Sequence, residues 1–226
     1  MPLSTRSLLR CGSLGVPAFL VLFHADMLTR RGFDVLVHGP SQLMTGDRGW
    51  LQIGNFVVTG LLMIAFAAGV RRVLPASRWG PGLIAAYGVA MICTGVFVTD
   101  PQKGYPPGTP QDALPDVTFP ASWHEQLHTL SVFTLYLMAS AACCVLARRF
   151  AGKPGGRPWA LALLGFAVAA PGVLLTGTLI MPHSSIDWVP ARLVIPLGWC
   201  WAWLAAVYLS RLVARERSGS PRKAPA

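Results

Sequence analysis

Residues 124–128 read His-Glu-Gln-Leu-His, an H-E-x-x-H string. On a helix this spacing puts His124 and His128 on one face, one turn apart, where they could share a metal ion. A glutamate between them, here Glu125, is the usual general base of a zinc protease. A hydrolytic metal centre needs a third protein ligand and an open position for water. His24 and His183 are the candidate third ligands, with Asp26, Asp100 and Asp187 also in reach as carboxylates. The implied cofactor is one divalent metal such as zinc. Asp100 doubles as the candidate catalytic base.

The elements that must position these residues follow from composition. The chain has 226 residues, 53% hydrophobic and only 12% charged, where a soluble domain carries about 25% charged residues. Six apolar runs stand out: Cys11–Leu28, Trp50–Val70, Trp79–Val98, Leu127–Leu146, Trp159–Ile180 and Val189–Leu212. Each is long enough to cross roughly 30 Å of hydrocarbon as a helix, and lipid obliges the backbone to satisfy itself. The predicted fold is therefore an all-α membrane protein, a bundle of six transmembrane helices over residues 1–212. A basic tail over 213–226 is expected to be disordered. Arg6 and Arg10 precede the first run, but no small-x-small cleavage site follows it, so it is read as a span rather than a signal peptide.

Lys and Arg set the orientation. With six spans, Arg6, Arg10, Arg71, Arg72, Arg78, Arg148, Arg149, Lys153, Arg157 and the basic tail share one side. Arg30, Arg31, Arg48, Lys103 and Arg192 occupy the other. The positive-inside rule then places both termini in the cytoplasm of a bacterial cell (inner) membrane. The net charge of +10 expresses this topology and attraction to anionic lipid at the cytoplasmic face. Basic residues split among short loops argue against nucleic-acid binding. Trp50, Trp79, Trp123, Trp159 and Trp188 fall near predicted helix starts, as an interfacial belt requires. The five cysteines lie within the spans and suggest no disulfide framework.

This topology sends all five histidines and nearly every carboxylate toward the outward face. The loop between the third and fourth spans is the longest there. Prolines at 101, 106, 107, 110, 115 and 120 exclude helix from it and suit an ordered cap. Helix ends gathered under such a cap would enclose a polar His/Asp pocket. Asp100 closes the third span, where the helix dipole disfavours a carboxylate, so a cation, Arg48, Arg192 or water is expected to compensate.

Several stretches carry a resemblance. Ser41-Gln42-Leu43 and Gly49-Trp50-Leu51-Gln52 lie ahead of Gly95-Val96-Phe97-Val98-Thr99-Asp100-Pro101 and Gly104-Tyr105-Pro106-Pro107-Gly108-Thr109-Pro110. With the His124-x-x-Leu127-His128 pair, they resemble a bacterial multi-pass membrane family catalogued as domain of unknown function 998. The likeness runs from about residue 8 to 212. It implies a six-helix layout with no assigned activity, and a polar cluster of Ser41, Gln42, Asp100, His124 and His128. The family pattern there reads His-Gly-x-x-His, so Glu125 is a departure and is expected to be incidental to any chemistry.

Three readings follow. The first is a membrane protein with an outward polar pocket and unassigned activity. The second is a metal-dependent hydrolase of a lipid or amide, loosely similar in its His, Asp and Ser to ceramidase-type and adiponectin-receptor-type membrane hydrolases. The third is a binder or transporter of a small molecule or lipid, with a structural or envelope-assembly protein whose pocket merely packs as a further alternative. Protein partners are not indicated.

Overall fold

The computed structural model describes residues 3–113, 121–180 and 189–218, and their side chains except at 170, 173–180, 189–197 and 217–218. Six long helices occupy the six apolar segments: α1 (Thr5–Thr29), α2 (Gly49–Val73), α3 (Trp79–Val96), α4 (Trp123–Ala151), α5 (Arg157–Ile180) and α6 (Val189–Ser218). A short 3-10 turn, Pro40–Met44, interrupts the α1–α2 connection. Four of the helices, α1 to α4, are long and apolar enough to cross a membrane, and the chain is a membrane protein.

The helices form a closed ring. Each packs against its neighbours in sequence, and α6 returns to α1. Aromatic side chains fill the middle: Phe19 stacks on Trp199 at 4.0 Å, and Phe56 and Tyr87 meet Trp199 edge-on. The outer surface is apolar too, with Val21, Leu61, Leu137, Leu161 and Val168 exposed. A helix apolar on both inner and outer faces belongs in lipid, where no polar solvent-facing stripe is needed.

The α2–α3 pair crosses with its backbones close together. A Cβ at Gly60 would lie 2.6 Å from the Gly88 carbonyl, and one at Gly88 would lie 2.6 Å from the Gly60 carbonyl. Small residues facing one another let two backbones approach where lipid offers no hydrophobic drive to associate.

Helix ends extend past the apolar runs for local reasons. Ser122 caps α4, accepting from Glu125 N–H at 3.2 Å. Arg148 and Arg149 stand in the last turn of α4, where the dipole favours cations. The tail expected from residue 213 is helical at its start, because α6 continues through the helix formers Ala214, Arg215 and Glu216 to Ser218, and residues 219–226 lie outside the described residues.

The two ends differ. One carries the α2–α3 and α4–α5 connections and most of the arginines, with Arg78 over the Trp79 ring at 5.3 Å and Arg211 over Trp159 at 5.0 Å. The other carries the α1–α2 and α3–α4 connections, and is called the loop end below. There Gln102 and Tyr105 exchange backbone bonds of 3.0 and 2.9 Å around a tight turn. Its central residues Lys103 and Gly104 have φ of 46° and 79°, the left-handed pair of a type I′ hairpin. The turn sends Tyr105 inward, 2% exposed, against Phe33 and His38. His38 also contacts the Lys103 carbonyl through Nε2 at 3.0 Å, so the two connections form one cap.

Candidate functional site at the loop end

Four of the expected cluster residues do meet at the loop end. Ser41 and Gln42 ride on the 3-10 turn, an element that the loop's mixed composition did not announce. His128 is 3% exposed. Its Nδ1 lies 2.7 Å from the Phe97 carbonyl and 3.2 Å from that of Thr94, and its Nε2 lies 2.9 Å from Ser41 Oγ. Gln42 Nε2 donates to the Asp100 carbonyl at 2.9 Å.

His124 does not join them. Positions four apart differ by about 40° around the helix axis, and neighbours decide the rest. His128 turns inward to the carbonyls ending α3, while His124 is exposed and lies over Trp123, ring centroids 3.6 Å apart. His24 donates within its own helix, Nδ1–H to the Leu20 carbonyl at 2.7 Å. Among the described residues no three His, Cys, Asp or Glu side chains gather as a metal ligand set. With both His128 nitrogens bonded to protein and His124 turned outward, the described residues by themselves do not assemble the expected metal site. His183 and Asp187 lie outside the described residues.

Asp100 has a different task from the one expected. It stands past the end of α3, so the unfavourable dipole does not act on it there. Its carboxylate instead accepts Ser122 N–H at 2.9 Å and Ser122 O–H at 2.6 Å. That places it at the N-terminus of α4, where the dipole favours an anion. Arg48 is not its partner. Glu125 answers from the other side, Oε2 accepting Thr99 O–H at 2.6 Å and Asp100 N–H at 2.7 Å. Glu125 is therefore a structural clasp between α4 and the strand of chain leaving α3, not an idle departure.

Asp26 forms a separate centre. Arg30 holds it with two bonds, Nε to Oδ1 at 3.1 Å and Nη2 to Oδ2 at 2.5 Å. Arg48 pairs with Oδ1 at 2.8 Å and Gln52 Nε2 donates to Oδ2 at 2.9 Å. Asn55 supports Gln52 at 3.3 Å. Arg30 further donates to the Leu43 and Thr45 carbonyls at 2.9 and 3.3 Å, tying the 3-10 turn to α1. Burial pushes the nearby Tyr105 phenol above its ordinary range, with the Arg30 guanidinium opposing that shift. Reasoning from motifs passed over Gln52 and Asn55. Their signal was present: polar side chains inside an apolar span need partners.

Beside Ser41 lies a chamber of about 70 Å³. Phe23, Phe56, Val132, Leu135, Tyr136 and Trp199 form its walls, and Pro40, Ser41 and Thr94 its rim. An apolar cavity with a few convergent polar groups is the usual form of a small-ligand site.

No curated protein and no solved structure matches the chain. A family match does cover residues 13–208, spanning the ring, the cap and the chamber. The chain thus belongs to the family described as protein of unknown function (DUF998).

Proposed function

We propose that the protein is a six-span protein of the bacterial inner membrane, with both termini cytoplasmic, that binds the apolar part of a lipid or small amphiphile in its outward chamber. The chamber beside Ser41 carries this reading. Its walls are apolar and aromatic side chains, a lining that suits an apolar group. The hydroxyl oxygens of Ser41 and Thr94, whose protons are already donated within the protein, are left to accept from a polar end. The orientation is supported by the arginines at one end, two of them over tryptophan rings as at a lipid interface. Anionic lipids at that end are the expected partners.

The test is lipid mass spectrometry of protein extracted in native-membrane discs, against Val132→Phe, which fills the chamber. The variant should keep its fold and lose a co-purifying amphiphile. Equal lipid content in both proteins would remove the reading.

A further inference from the structure

We infer that Ser41 and His128 form a nucleophile–base dyad that hydrolyses a carboxylic ester whose apolar acyl group enters the chamber, an inference resting on the binding reading above. Ser41 Oγ and His128 Nε2 are 2.9 Å apart, within the reach a base needs to activate a hydroxyl. The tautomer is settled by the other nitrogen. Both neighbours of Nδ1 are backbone carbonyls, of Phe97 and Thr94. Carbonyls only accept, so Nδ1 carries the hydrogen and Nε2 offers its lone pair to the Ser41 hydroxyl.

In the familiar triad a carboxylate holds the imidazole and stabilises its cation. Here the carbonyls ending α3 take that place, at the negative pole of a helix of 18 residues. The base is sealed from solvent, while Ser41 is half-buried and lines the chamber. Other hydroxyls nearby lack this arrangement: Ser131 and Thr94 donate to carbonyls of their own helices at 2.7 and 2.8 Å.

The chemistry balances without a cofactor. Ser41 Oγ bonds to the ester carbonyl carbon as its proton passes to His128 Nε2. The carbon–oxygen bond to the alcohol then breaks, and His128 returns the proton to the leaving oxygen. Water attacks the acyl-Ser41 ester, giving its proton to His128, which hands it to Ser41 Oγ as the carboxylic acid departs.

The experiment uses full-length protein in micelles with an alkyl fluorophosphonate, and peptide mass spectrometry to locate the adduct. A single adduct at Ser41 is expected, absent in Ser41→Ala. His128→Gln keeps a donor and an acceptor but no base, and should slow labelling about 100-fold. Melting curves verify both variants. Ser41→Ala removes one oxygen from a half-buried side chain and keeps the result readable if His128→Gln unfolds. Unmodified Ser41 in the wild-type protein, or equal labelling in a folded His128→Gln, overturns the dyad. If the wild type then still carries its co-purified amphiphile, the dyad alone falls; loss of both removes the binding reading as well.

Discussion

Glu125 Oε2 accepts the backbone N–H of Asp100 at 2.7 Å, while the Asp100 carboxylate accepts from Ser122, the cap of the helix that carries Glu125. The two acids thus clasp the start of α4 to the chain leaving α3. Glu125→Gly strips the partner from Asp100 N–H and Thr99 O–H and should cost about 1–3 kcal/mol. Glu125→Gln keeps one acceptor oxygen and should cost less. Thermal melts in one detergent would separate the two, and equal melting temperatures would refute the clasp.

Asp26 and Arg30 expose only 0% and 3% of their side chains. Asp26→Ala leaves Arg30 charged, buried and unpaired, with an expected loss of about 3–5 kcal/mol. Replacing both, Asp26→Leu with Arg30→Met, should recover much of that loss. Denaturant unfolding of the three proteins checks this. A double variant no better than Asp26→Ala would show that Arg30 acts mainly through the Leu43 and Thr45 carbonyls.

Gly60 and Gly88 are each within 2.6 Å of the other's carbonyl, measured from an added Cβ. Gly60→Val must push α2 from α3 and should destabilise by about 1–3 kcal/mol. A Cβ at the exposed Gly54 meets nothing within 4 Å, so Gly54→Val serves as the control on the same helix. Equal melting temperatures for both variants would deny the close crossing.

Metal removal should be without effect. His128 has protein partners on both nitrogens, so a chelator should leave the melting temperature unchanged. A fall seen in the wild type but not in His124→Ala with His128→Ala would reinstate the metal.

The orientation is checked by labelling Asp112→Cys, an exposed position in the α3–α4 connection. An impermeant thiol reagent added to intact cells should reach it. Labelling only after the cytoplasmic side is opened would invert the proposed topology.

Much of the architecture was legible because lipid imposes a strong rule. Apolar runs such as Trp50–Val70 have one stable form where the backbone must bond to itself, and α2 follows that run closely. Asp100 and His128 could be grouped because helix ends in a bundle collect at its faces, and Ser41 and Gln42 joined them only through the family resemblance. Their partners could not be read. Asp100 and Ser122 are 22 positions apart, and Ser41 and His128 are 87 apart.

The chain by itself determined that it is helical, where the helices run and which residues share an end, since these depend on local hydropathy and charge. Tertiary structure decided what each polar group does. It turned His128 inward and His124 outward, made Glu125 a clasp and Asp100 a cap, and set Ser41 against an imidazole. Those outcomes depend on which donor meets which acceptor across the ring, and the spacing of the His-Glu-Gln-Leu-His string carries no record of the carbonyls of α3 that His128 finds there.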